Sequence, residues 1–125
     1  MKKILVILLL TFGVTSCYAA QASVTEASYY TVASCLKESG QYTMANGRLL
    51  DDNKFTCASW DYPFGTRLEI TNRQTNRKIV AIVTDRGPSK KLYKKGRKID
   101  LSKAAFEAIA DLKSGLVDVD VEVLP

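Results

Sequence analysis

The chain contains no histidine. That removes the side chain most used for proton transfer near neutral pH, so any acid–base chemistry falls to carboxyl groups. It also removes the imidazole that most zinc and copper sites require. No cysteine or carboxylate motif of metal-ligand spacing takes its place, and neither a P-loop nor a dinucleotide fingerprint is present. No metal or cofactor is expected. Cysteine, proline and tryptophan are scarce, at 3, 3 and 1 residues in 125. The longest unbroken apolar run, Ile4 to Leu10, is too short to cross a bilayer core of about 30 Å. Internal repeats, heptads and low-complexity tails are also missing, which excludes solenoids and coiled coils.

What is present begins with an export signal. Lys2 and Lys3 precede the apolar run, and Ala20-Gln21-Ala22 fits a small-residue cleavage site, which predicts a secretory signal over residues 1–22. Val14-Thr15-Ser16-Cys17 also resembles a bacterial lipobox. On that alternative Cys17 is lipidated, the signal is residues 1–16, and the chain is anchored to a membrane. Both alternatives predict a protein of the periplasm or cell envelope. Residues 23–125 then form one domain with one modest core. Of 18 basic residues, setting Lys2 and Lys3 aside leaves about +3 against 13 acids. Such mild basicity suits a polyanionic wall and is too weak to argue for nucleic acid. Cys35 and Cys57 in an oxidising compartment predict a disulfide closing a loop of about 23 residues, limiting the unfolded chain by roughly 3 kcal/mol.

Along the chain, Ala27 to Ala33 is rich in Tyr, Thr and Val and predicts a first strand. Ser39 to Asn53 is punctuated by Gly40, Asn46-Gly47 and Asp51-Asp52-Asn53 and reads as loop. Thr66 to Thr71 alternates, with Leu68 and Ile70 on one face. Ile79 to Val83 is nearly continuous apolar, the pattern of a strand buried on both sides, and Asn72 to Arg77 between them reads as a hairpin connection. Arg86-Gly87-Pro88 stops the second strand, and Lys90 to Lys98 reads as a basic loop. Ser102 predicts an N-cap for a helix carrying Phe106, Ile109 and Ala110. Leu116 to Leu124 alternates strictly, with Val117, Val119, Val121 and Val123 opposite Asp118, Asp120 and Glu122. Several short strands, little helix and no βαβ rhythm predict an all-β barrel or sandwich.

Six segments carry a more specific likeness: Ala27-Ser28-Tyr29-Tyr30, Met44-Ala45-Asn46-Gly47, Phe55-Thr56-Cys57-Ala58, Pro63-Phe64-Gly65-Thr66, Thr84-Asp85-Arg86-Gly87-Pro88 and Gly96-Arg97-Lys98-Ile99-Asp100-Leu101-Ser102. In this order and spacing the chain, from about Ala27 to Leu124, resembles the rare lipoprotein A family of septal lytic transglycosylases, relatives of expansin and barwin barrels. The resemblance implies a six-stranded double-psi β-barrel with one or two short helices. It also implies an endolytic activity on peptidoglycan glycan strands lacking stem peptides, cut between N-acetylmuramic acid and N-acetylglucosamine to leave 1,6-anhydro ends. Septal cell-division proteins are implied as partners, and a monomer is expected.

Physical reading of the same segments singles out Asp85. It follows an apolar strand and precedes a Gly-Pro turn, so its carboxyl should stand part-desolvated at a barrel mouth, where a general acid can be tuned. The resemblance ties the matching aspartate to catalysis and gives Asp51 as a second acidic position. The remaining motifs read mainly as architecture: Asn46-Gly47 and Gly87 for backbone freedom, Pro63-Phe64-Gly65 for a corner with an aromatic plug, and Asp100-Leu101-Ser102 for ending a strand and capping the helix. Trp60, Tyr62, Tyr29 and Tyr30 are candidates for a sugar-stacking groove, with Arg86 beside it. Two positions depart from the family pattern. Arg48 stands where a Glu is expected and Ser59 where a His is expected, and both become candidate substrate contacts. One acid–base suffices for a transglycosylase, whereas hydrolysis needs a second carboxylate. The alternative these departures favour is a non-catalytic, expansin-like wall-binding module, with an interaction or inhibitor domain as a third reading.

Overall fold

The computed structural model describes residues 23–125. Cys17 and Ala20-Gln21-Ala22, on which the export alternatives rest, lie outside the described residues. Six strands, β1 (Ser23–Tyr30), β2 (Thr56–Ser59), β3 (Arg67–Asn72), β4 (Lys78–Asp85), β5 (Arg97–Ser102) and β6 (Val117–Val123), close into a barrel in the order β1-β5-β2-β4-β3-β6. The β1/β5 and β2/β4 pairs are parallel and the other four pairs antiparallel. Closure pairs every strand on both sides and removes the exposed edges that an open sheet of this length would present.

Alternation decides which side chains fill the barrel. Leu68 and Ile70 of β3, Ala81 and Val83 of β4, Ile99 and Leu101 of β5, and Val119 and Val121 of β6 are all buried, with Ala27 and Cys57 beside them. The expected β3/β4 hairpin and the closing strand β6 are both present. β4 differs from the expectation of burial on both faces. Ala81 and Val83 point inward while Ile82 is exposed, because only one face of a closed barrel meets a core.

Three short helices decorate the barrel: α1 (Val32–Ser39), α2 (Lys90–Lys94) and α3 (Lys103–Ile109), with a 3-10 turn at Leu112–Ser114. Helix α3 arises as expected, with the Ser102 hydroxyl accepting from the Ala105 N–H and Phe106 and Ile109 turned into the core. The Phe106 ring packs 4.8 Å from that of Tyr29. Helix α1 was not expected, since the predicted first strand runs on to Ala33 and the predicted loop begins at Ser39. The first strand stops at Tyr30, and a capping box takes over. Thr31 Oγ1 accepts from the Ser34 N–H while Ser34 Oγ accepts from the Thr31 N–H, and Gly40 at φ 72° closes the helix. Asp52 Oδ1 accepts from the Val32 N–H and adds a second tie at the same end. The basic loop likewise contains α2, with the Ser89 hydroxyl as N-cap, before it enters β5.

The Cys35–Cys57 disulfide is absent and both residues are free thiols. Cys57 projects from β2 into the barrel core, where it is fully buried, whereas Cys35 rides on α1 outside the wall. Phe64 does not plug the corner. It is exposed, with the Arg86 guanidinium stacked 4.0 Å from its ring centre.

Candidate active site

One row of residues crosses four neighbouring strands. Ser28 of β1 pairs with Asp100 of β5, Asp100 with Ala58 of β2, and Ala58 with Asp85 at the end of β4. Residues in register share a face, and this row faces outward, since Ile99 and Leu101 on either side of Asp100 face the core. Two strand spacings, about 10 Å, therefore separate the backbones that carry the two acids. The side chains open into a groove of about 590 Å³, whose walls include Tyr30, Cys35, Glu38, Trp60 and Arg97. Its floor is low because Ala58 and Gly87 are small. A Cβ built on Gly87 would stand 3.4 Å from that of Ala58 and 3.8 Å from Asp100 Oδ2.

A bulge sets the row. Cys57 pairs with Val83, but Ala58 pairs with Asp85, skipping Thr84. Without that irregularity Thr84 would face Ala58, so the extra residue carries Asp85 to its position beside the groove. Thr84 instead turns its hydroxyl to the Met44 sulfur.

The two acids stand in different surroundings. Asp85 Oδ1 accepts from the N–H groups of Ala45 and Arg86, both at 2.8 Å, and Oδ2 accepts from the Tyr30 hydroxyl at 3.0 Å. Three donors aimed at one carboxyl group fix its position and orientation. Its field, after burial, holds the Tyr30 phenol far above its ordinary range and so keeps it a donor. Asp100 accepts only from the Ser28 hydroxyl, at 2.5 Å. Burial raises its carboxyl above the usual range. Ser28 and the Arg97 guanidinium pull the other way, and Asp85 and Glu38 add repulsion that favours the proton. A shielded carboxyl that holds its proton more tightly than usual, facing a second carboxyl held by three donors, is a pair of the kind glycoside chemistry uses.

The expected site residues divide accordingly. Asp85, Tyr30, Trp60 and Arg86 come together in the groove. Arg86, though, is a clamp: its guanidinium donates to the carbonyls of Ser59 and Tyr62 at 2.7 and 2.8 Å. Asp51, Arg48 and Ser59 do not line the groove. Asp51 accepts from the Asn53 N–H in its own loop, and Arg48 sits exposed beyond Asn46-Gly47. Ser59 is buried, its hydroxyl taken by the Asp61 N–H. Asp100 and Glu38 are acidic groove residues that sequence reasoning missed. For Asp100 the signal was its place between Ile99 and Leu101, which turns it outward on a strand. Ser102, and not Asp100, does the capping. Among the described residues no cluster of three or more Cys, Asp or Glu is set to hold a metal ion.

A closed six-stranded barrel of mixed pairing, with an acid-lined groove across its parallel pairs, is a double-psi β-barrel of the barwin and expansin type. The Streptomyces papain inhibitor superposes with a TM-score of 0.63 at 24% identity, covering 84% of this chain and 96% of the inhibitor. An expansin of Clavibacter michiganensis in complex with cellohexaose gives 0.60 at 17%, covering 84% of this chain and 51% of the expansin. These likenesses show the fold alone. The family profile described as lytic transglycolase matches residues 22–121, and the chain belongs to that family. Among curated relatives, the probable endolytic peptidoglycan transglycosylase RlpA of Treponema pallidum is 39% identical over 77 residues, 62% of this chain and 23% of the relative. Endolytic peptidoglycan transglycosylase RlpA of Rickettsia prowazekii is 36% identical over 83 residues, 66% of this chain and 25% of the relative. The match thus spans about a quarter of the length of these relatives.

Proposed function

We propose that this barrel is an endolytic peptidoglycan transglycosylase of the cell envelope, cleaving stem-peptide-free strands between N-acetylmuramic acid and N-acetylglucosamine. The observation that carries the reading is the shielded Asp100 carboxyl, raised above its usual range by burial, across Ala58 from the Asp85 carboxyl in a sugar-sized groove. Family membership and the printed activity of the relatives support the same substrate.

On this reading Asp100, rather than Asp85, delivers the proton. Its carboxyl protonates the glycosidic oxygen, the C1–O bond breaks, and the N-acetylglucosamine side leaves with a free 4-hydroxyl. The Asp85 carboxylate stabilises positive charge building at C1 and the ring oxygen. The C6 hydroxyl of the muramic residue then bonds to C1 and gives its proton to the Asp100 carboxylate, restoring the acid and closing the 1,6-anhydro ring without water. One acid–base completes the cycle, so Arg48 and Ser59 at the departing positions do not prevent it.

Incubation of the purified chain with peptide-free glycan strands tests the proposal. Fragments with ends one water lighter than hydrolysed ends are expected from wild type and not from Asp100→Asn. Hydrolysed ends would refute the mechanism. Tight binding of strands with no fragments would favour the wall-binding module.

A further inference from the structure

Trp60 has a second side. It lines the groove, and it also walls a separate cleft of about 380 Å³ formed with Asp61, Lys90, Tyr93 and Lys94, so groove and cleft meet at one indole. The ring is held in place by its Nε1–H, which donates to the Pro88 carbonyl at 2.6 Å, yet it remains 43% exposed. An aromatic fixed by a hydrogen bond and left uncovered is a preorganised surface for the apolar face of a pyranose. Tyr93 is fixed too, donating its hydroxyl to Asp61 Oδ1, and that bond occupies an oxygen of the one acid in the cleft.

The rest of the cleft is cationic. Lys90 Nζ stands 5.3 Å from the Trp60 ring centre, and Lys98 Nζ stands 5.4 Å from that of Tyr93. From Lys90 to Lys98 there are lysines at 90, 91, 94, 95 and 98 and an arginine at 97, with no acid among them. Among the described residues neither Lys90 nor Lys94 has an ion-pair partner. With Lys90 over the Trp60 ring and Lys94 on the cleft wall, the ammonium groups are placed to meet an anionic substituent on a sugar that packs on the exposed part of the indole.

We propose that this cleft is an outlying glycan subsite for a pyranose that carries its own carboxylate, stacked on Trp60 with the carboxylate against Lys90 and Lys94. Within the transglycosylase reading, on which this rests, that sugar is a muramic residue whose lactyl carboxyl is free. A stem peptide converts that carboxyl to a neutral amide and moves charge away from the ring, so the subsite distinguishes stripped from peptide-bearing strands.

Trp60 is the sole tryptophan of the chain, so its fluorescence reports ligand where groove and cleft meet, and the lysine variant below separates the two. The experiment titrates Asp100→Asn, which holds strands uncut, with peptide-free glycan strands and with the same strands after reduction of the lactyl carboxyls to alcohols. The native carboxylate strands are expected to bind more tightly. Replacing Lys90 and Lys94 by alanine together should weaken binding of the carboxylate strands about 2- to 25-fold, from two exposed ion pairs, and leave reduced strands unaffected. Raising salt should erode the same preference. Equal binding of the two strand types, or equal loss for both in the lysine variant, overturns the inference while leaving the cleavage reading to its own assay. If wild type neither binds nor cuts either strand, both fall.

Discussion

Asparagine at position 100 and asparagine at position 85 are nearly isosteric changes, yet the groove demands opposite effects on stability. Burial holds the Asp100 carboxyl above its ordinary range, so the native state binds that proton more tightly than the unfolded chain does. Stability from this source is complete below the unfolded carboxyl pKa and is lost as pH rises through the raised folded value. At neutral pH the ionised group is a burden, and Asp100→Asn relieves it. Asp85 is held instead by three hydrogen bonds. An asparagine there can keep its oxygen under the Ala45 and Arg86 N–H groups only by turning its amide to Tyr30, whose hydroxyl must reverse to accept. Charge assistance is lost from each bond at about 1 kcal/mol, or roughly 2–3 kcal/mol in all, which lowers Tm by about 10–20 °C in a domain of this size. Thermal melts at neutral pH should therefore show Asp100→Asn above wild type and Asp85→Asn well below. The Asp100→Asn advantage should fade as pH falls below the carboxyl range. Activity on glycan strands should drop in both, by about 100- to 10,000-fold for Asp100→Asn, equivalent to roughly 3–5 kcal/mol of barrier. Wild-type activity should itself decline as pH rises through the raised Asp100 value, because only the protonated form donates. A melt in which Asp100→Asn is the less stable of the two would refute the assignment of states.

Phe106→Ala should cost about 3–5 kcal/mol in urea unfolding, since the ring is fully buried and packed on Tyr29; a cost below about 1 kcal/mol would mean that α3 is not part of the core. Alkylation without reductant should label Cys35 but not Cys57 in the native protein, and both after denaturation, read by peptide mass. Cys35 lines the groove, with burial and then the Asp85 and Glu38 charges holding its thiol high, so labelling should speed up with alkaline pH. Cys57 is fully buried and pushed up to about 12, and no label on either residue after denaturation would restore the disulfide. Ala58→Val should fill the floor between the two acids against Gly87, with an overpacking cost of about 1–3 kcal/mol and a loss of glycan binding that spares the fold by circular dichroism.

Much of the barrel was legible because strand patterns carry their own register. The alternation of Leu68 with Ile70, and of Val117 to Val123, survives into β3 and β6 because one face of each strand is buried and the other is not. Helix α1 was illegible for the opposite reason. Tyr29-Tyr30-Thr31-Val32 has strand-like composition throughout, and the change to helix comes from one capping box that composition does not weigh. At the site, Asp85 was readable from its place before a Gly-Pro turn. Asp51 and Arg48 were expected from position in a family pattern, but side chains in a long loop depend on how that loop folds back. Here Asp52, one residue on, makes the contact with α1. The disulfide followed from compartment and count, which say nothing about the direction of a side chain. In β2 alternation turns Cys57 into the core.

The different surroundings of the two acids follow from the backbone beneath them. Asp100 lies mid-strand in β5, where both ladders have already claimed the neighbouring N–H groups, so little remains to solvate a carboxylate except the hydroxyl of Ser28. Asp85 ends its strand, where the ladder stops and free N–H groups from its own turn and from the Met44-Ala45-Asn46-Gly47 loop point at it. A strand interior leaves a carboxyl short of donors, and a strand end supplies them. The bulge at Thr84 sets the strand end level with the strand interior, across one alanine. Two chemically identical residues thereby stand on one face of the barrel in different hydrogen-bonding surroundings.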